Sequence, residues 1–237
     1  MEKAQLVFVP APAIGHLIST VELAKLLLNR DQRLSITVLL IKLSNFDAKI
    51  NSYVQSVAGA SNSLSNRLRF IDLPKDEPEI FDFVSLIERQ KPHVKQVVSN
   101  ITKSESDSPR LAGFVLDMFC MDVMDVANEF GVPSYVFFTS SAAFLGFMLH
   151  VQVIHDEQKV DPTELKESDG VLAVPSFVSP FPAKAMPSCV LRHNIWLTPL
   201  LHNFRRFKEA KGIMVNTVFE LEPCAVESFH FNGKSPP

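Results

Sequence analysis

Short apolar runs alternate with segments of helical spacing through the first half of the chain. Residues 6–9 (LVFV) are uninterrupted apolar, the pattern of a central parallel strand buried on both faces. A loop over 10–16 follows, and then Leu17, Val21, Ala24, Leu27 and Leu28 share one face of a helix over 17–29. The same reading predicts further strands at 34–41, 68–73, 111–116 and 134–138. Helices are predicted at 46–57, 80–101 and 121–130, the second carrying Pro92 and the third closed by Gly131. Residues 59–66 and 104–110 read as polar connections.

Past about residue 155 the rhythm changes. Residues 156–169 are charged, and 174–187 hold Pro175, Pro180, Pro182 and Pro187, which exclude a helix and favour an extended crossing. A helix over 194–211 tolerates Pro199 near its start and stops at Gly212. A strand at 213–215 and a helix at 220–229 complete a domain over 1–231, and 232–237 (NGKSPP) read as a linker. Strands alternating with helices predict an α/β fold, a Rossmann-like doubly wound parallel sheet. Ligands of such sheets bind beyond the carboxyl ends of the strands, where strand order reverses. With the first strand central, His16 after it and Asp117 after the fourth would meet there.

Composition narrows the function classes. The 237 residues are 46% hydrophobic, enough for a sizeable core without a disulfide or metal staple. Lys+Arg 23 against Asp+Glu 26 gives −3, lacking the basic excess of a nucleic-acid binder. Cys120, Cys189 and Cys224 are far apart with no CxxC spacing, which fits a reducing compartment and no zinc site. The start of the chain lacks the basic, uninterrupted apolar form of a signal peptide. Residues 131–154 carry no formal charge, but Pro133, the Thr139-Ser140-Ser141 turn and His150 mark a strand, a cap and a helix instead of a membrane span. A cytoplasmic protein without integral membrane contact is expected.

His16 is the group best placed for chemistry. A helix N-terminus disfavours imidazolium and keeps the ring neutral, as a general base must be. Asp117 could hold one ring nitrogen and stabilise the charge formed when the other takes a proton. The alternative is that His16 caps a turn and Asp117 caps the next helix. There is no GxGxxG, no GxxxxGK[ST] and no GxSxG. Asp122 and Asp125 read as a solvated helix face, and Phe81, Phe83, Phe144, Phe147 and Met148 as core or pocket wall. His93, His150, His155, His193, His202 and His230 show no metal-ligand spacing, and Arg205, Arg206 and Lys208 read as the wet side of a helix.

Four stretches carry a resemblance: VFVPAPAIGHLISTVELAKLL (7–27), GFVLDMFCMDVMDVANEFGVPSYVFFTSSAAFLG (113–146), VPSFVSPFPAKAMPS (174–188) and GIMVNTVFELEPCAVESF (212–229). In this order they closely resemble the plant family-1 UDP-glycosyltransferases of secondary metabolism. The GHLIST form is most similar to the subgroup acting on flavonoids, other phenolics and terpenoids. The resemblance implies the N-terminal half of the GT-B fold and inverting transfer of a sugar from a UDP-sugar, with UDP-glucose the expected co-substrate, to an acceptor hydroxyl. It implies His16 as catalytic base, Asp117 as its partner, and Gly15 and Thr139 on the donor side. Phe119, Phe144 and Met186 are candidate walls for a small, hydrophobic, hydroxylated acceptor. No metal is implied. The family's C-terminal donor-binding domain, with most of the UDP-sugar site, would be the missing covalent partner, so this half is expected to be inactive alone. Two other readings stand beside it: a non-catalytic small-ligand-binding half-domain acting through a partner, and an unrelated doubly wound protein in which His16 and Asp117 lie apart.

Overall fold

The structure is a computed structural model that describes residues 3–43, 47–59, 66–75, 83–103, 109–167, 169–191 and 196–231. It divides into two compact units, Met1–Phe137 and Phe138–Pro237.

The first unit is built on parallel strands β1 (Ala4–Val9), β2 (Leu34–Leu40), β3 (Leu68–Asp72), β4 (Arg110–Asp117) and β5 (Ser134–Phe138). Their spatial order is β3-β2-β1-β4-β5, and every pairing within it is parallel. In β1, Val7, Phe8 and Val9 are fully buried, as the continuous apolar run requires of a strand covered on both faces. Phe8 stands in register with Val38 of β2 on one side and Val115 of β4 on the other. The intervening helices are α1 (Ile14–Arg30), α2 (Asp47–Gly59), α3 (Phe83–Lys103) and α4 (Met124–Glu129). Right-handed crossovers put α1 and α2 on one face of the sheet and α3 and α4 on the other, and α1 touches α2 while α3 touches α4. Helix α1 lays Leu17, Val21, Ala24 and Leu28 onto the core, and α3 buries Leu86, Ile87, Val94 and Val98.

Several boundaries differ from the sequence reading. Helix α1 begins at Ile14, not at residue 17, because the first helical bond runs from Leu17 N–H to the Ala13 carbonyl. Gly15 and His16 therefore lie in its first turn. Helix α3 runs through Pro92 as the sequence reading has it, and ends at Lys103, two residues later than predicted. A 3-10 turn, Met121–Val123, precedes α4, whose C-cap Phe130 is followed by Gly131 at φ +66, a conformation that favours glycine. Residues 44–46, 60–65, 76–82 and 104–108 lie outside the described residues, with Phe81 and much of both polar connections among them.

The second unit opens with Phe138 and α5 (Ala142–Asp156), followed by a 3-10 segment, Pro162–Glu167. The proline-rich stretch supplies β7 (Phe181–Pro182), which pairs antiparallel with β6 (Val171–Leu172) just before the stretch, and a 3-10 turn, Ala183–Ala185. Helix α6 is Thr198–Arg206, shorter than predicted: Pro199 fixes its first turn, and Phe207–Glu209 tightens into a 3-10 turn. Strand β8 (Gly212–Val215) and α7 (Pro223–Phe231) follow. The core is aromatic: Phe138 meets Phe204 and Phe207 edge-on, and Phe147 stacks on Phe144 and Phe177. Gly146 allows α5 to approach Ser176, since a Cβ there would stand 2.4 Å from the serine Cβ. The predicted linker 232–237 lies outside the described residues, as does His193. Among the described residues no helix is long and apolar enough to cross a membrane.

Candidate active site

Chain direction reverses across the sheet between β1 and β4. From β1 the chain steps outward through β2 and β3, then returns to lay β4 on the other side of β1. The carboxyl ends of these two neighbours, where Val9 pairs with Leu116, form the switch point. The first turn of α1 hangs from one end and Asp117 closes the other.

His16 and Asp117, 101 residues apart in sequence, meet there: Nδ1 of His16 lies 2.7 Å from Oδ2 of Asp117. The Asp117 side chain is wholly buried and that of His16 is 23% exposed, so the pair has one covered and one reachable member. Asp117 is held from behind, because its Oδ1 accepts the Phe119 N–H at 3.0 Å and its carbonyl accepts the Cys120 N–H at 2.8 Å. The carboxylate is thus aimed by its own strand-to-turn backbone, and with Nδ1–H donating to it the proton-accepting nitrogen of a neutral His16 is Nε2.

Two influences act on the imidazole. Burial is the larger single one and disfavours the charged ring, but the hydrogen bond and charge of Asp117 together outweigh it, and the His16 pKa is raised above 6.5. The partner carboxylate thus sets the direction of the shift against the effect of burial. Cys120, also close by, is fully buried, and burial followed by the charges of Asp117 and Asp122 pushes its thiol well up, so it offers no thiolate. Asp122 is buried in the 3-10 turn and not on a wet face as the sequence suggested, whereas Asp125 pairs with Lys91 at 2.7 Å.

The other candidate residues divide between the units. Gly15 lies exposed in the first turn of α1, and among the described residues nothing stands within 4 Å of the place a Cβ would take. Phe119 stands 5.5 Å from the His16 ring and 5.3 Å from Phe83, which makes an aromatic wall beside the pair. In the second unit, Thr139 occupies the β5–α5 turn, Phe144 lies in the first turn of α5 against Phe138 and Phe147, and Met186 is buried after the Ala183–Ala185 turn. Ser141 is the α5 N-cap, accepting the Phe144 N–H at 3.1 Å, as the capping reading has it. Sequence reasoning missed Glu222, whose carboxylate accepts two backbone N–H groups at the start of α5. Its only sequence signal was the ELE run just before a helix. No group of three His, Cys, Asp or Glu among the described residues could hold a metal ion.

No protein-family model matches the chain. It is 58% identical over 226 residues to an anthocyanidin 3-O-glucosyltransferase of Manihot esculenta, covering 94% of this chain and 49% of that protein. The Medicago truncatula UGT71G1 complexed with UDP-glucose superposes with a TM-score of 0.80 at 32% identity, over 99% of this chain and 50% of that one. A UGT transferase from Siraitia grosvenorii in complex with UDP gives 0.77 at 42% identity, over 96% and 44%. The chain spans about half the length of the relatives it matches.

Proposed function

We propose that this chain, which belongs to the plant UDP-glycosyltransferases as the N-terminal half of their GT-B fold, binds the acceptor and supplies the base for an inverting sugar transfer. The observation that carries this reading is the His16–Asp117 pair at the β1/β4 switch point, 2.7 Å apart with the carboxylate buried. His16 Nε2 takes the proton of an acceptor hydroxyl as its oxygen attacks the anomeric carbon of the UDP-sugar. The bond from that carbon to the diphosphate oxygen breaks on the opposite face, and UDP leaves with the electron pair. Asp117 keeps Nδ1 protonated, aims the ring and balances the imidazolium while it carries the second proton.

The names of the relatives support UDP-glucose as donor and a flavonoid as acceptor. Phe119 beside His16 is a flat apolar wall suited to a planar phenolic ring. Phe144 and Met186 are assigned to the acceptor side, Gly15 and Thr139 to the donor side. Gly15 suits that role because among the described residues nothing stands within 4 Å of the place of its Cβ, and the N-cap of its helix, Ala13, makes no side-chain cap. The donor domain of the relatives is the covalent partner this half requires. Three cysteines without disulfides support a cytoplasmic setting.

The test is transfer from UDP-glucose to a flavonol by the product of the complete reading frame, with and without His16→Ala. The substitution should lower kcat by about 10²–10⁴-fold with the fold intact by circular dichroism. Activity within about twofold of the parent would remove His16 from the role of base.

A further inference from the structure

Glu222 serves two helices at once. Its main-chain carbonyl accepts the Val226 N–H at 3.0 Å and starts α7. Its side chain turns to α5 instead: Oε1 accepts the Ala142 N–H at 3.0 Å and Oε2 accepts the Ala143 N–H at 2.8 Å. These amides are among the four at a helix start that have no acceptor within the helix. Thr217 Oγ1 donates to Oε1 at 2.5 Å and so fixes the carboxylate from the other side. Six residues before Glu222, the Asn216 N–H donates to the Phe138 carbonyl at 2.9 Å, and its Nδ2 reaches the Thr139 carbonyl at 3.5 Å.

Segment 216–222 therefore grips segment 138–143 at both ends, and the turn carrying Thr139 and Ser140 lies between the grips. A helix start needs only a local cap, and Ser141 already supplies one. A carboxylate brought from 80 residues along the chain does more, because it fixes where the turn stands as well as whether the helix begins. A negative charge at a helix N-terminus is also favourable in its own right. We propose that Glu222, oriented by Thr217 and seconded by Asn216, is a positioning residue that holds the Thr139 turn in place for the donor sugar. This rests on the donor-side assignment of Thr139 above.

The experiment has two arms. In the 237-residue chain, Glu222→Gln leaves one acceptor oxygen for two amides. Hydrogen exchange at Ala142 and Ala143 should accelerate about tenfold or more, with α6 unchanged. Thr217→Val, which removes only the orienting hydroxyl, should give a smaller acceleration at the same amides and serves where Glu222→Gln does not fold. In the product of the complete reading frame, Glu222→Gln should raise the KM for UDP-glucose about tenfold and leave the acceptor KM within about twofold. Thr139→Ala should raise the same KM. Unchanged exchange overturns the clamp. Equal rises in both KM values overturn the positioning role and leave a purely structural cap. A donor KM that ignores Thr139→Ala, with exchange accelerated in Glu222→Gln, overturns the donor-side reading of Thr139 while the clamp itself stands.

Discussion

Protonation of His16 is set by two opposed neighbours, the apolar surroundings and the Asp117 carboxylate, and the second prevails. Removing the charge while keeping the shape should reverse the balance. In Asp117→Asn, burial acts alone, so the His16 pKa should drop below 6.5, read by NMR titration of the ring C–H signals. The sign for stability follows. A folded-state pKa raised above 6.5 stabilises the fold fully on the acid side of 6.5, and that contribution is lost as pH rises through the folded value. The stability gap between parent and Asp117→Asn should therefore narrow with rising pH, measured by urea unfolding at a series of pH values. Gly15 makes a separate test. Among the described residues nothing comes within 4 Å of the place of its Cβ, and glycine weakens a helix, so Gly15→Ala should stabilise the fold by up to about 1 kcal/mol. On the donor-side reading the same methyl group should lower transfer, so a variant that melts later yet works less well is the expected outcome. Full retained activity would remove Gly15 from the site.

Elements that carry a pattern of their own along the chain were the legible ones. The run at β1, the α1 face of Leu17, Val21, Ala24 and Leu28, and the Gly131 stop after α4 each declare themselves through local pattern. Their alternation was enough to put His16 and Asp117 at one switch point. Less legible was the start of α1. Its N-cap is Ala13, which has no side-chain oxygen to advertise a cap, so the first turn reads as loop. Glu222 was hidden for another reason, since its ligand amides at Ala142 and Ala143 lie 80 and 79 residues away and no periodicity links them. Asp122 reads as wet because it and Asp125 are a pair of acids near a helix start, yet Asp122 is buried in the 3-10 turn before α4. The contact of α5 with Ser176 yields an element-scale prediction. Gly146→Ala should cost about 1–3 kcal/mol by overpacking. Adding Ser176→Gly should recover much of that loss, apart from the Ser176–Ala143 hydrogen bond that it removes. A chemical-denaturation double-mutant cycle reads the coupling.

Over the whole molecule, the sheet order brings the proposed base and its partner together within the first unit, Met1–Phe137. The relatives are about twice as long, and the donor-holding part of the proposed reaction is assigned to their other half. The 237-residue chain by itself should accordingly show no transfer from UDP-glucose to a flavonol above background, assayed by release of UDP. Turnover by the purified chain would refute that assignment of labour between halves. The strand order has a second consequence, in time. Strand β1 lies between β2 and β4, but the residue that closes β4 is made 101 positions after His16. Between Leu40, the end of β2, and Asp117, the end of β4, lie 77 positions, so at a synthesis rate of about 5–20 residues per second the growing chain spends roughly 4–15 s with β1 paired on one side only. Through that interval a strand built to be buried on both faces presents a bare row of amides and carbonyls to the crowded exit of the ribosome. The strand order that sets His16 beside Asp117 thus also leaves one edge of β1 open in the nascent chain until β4 arrives.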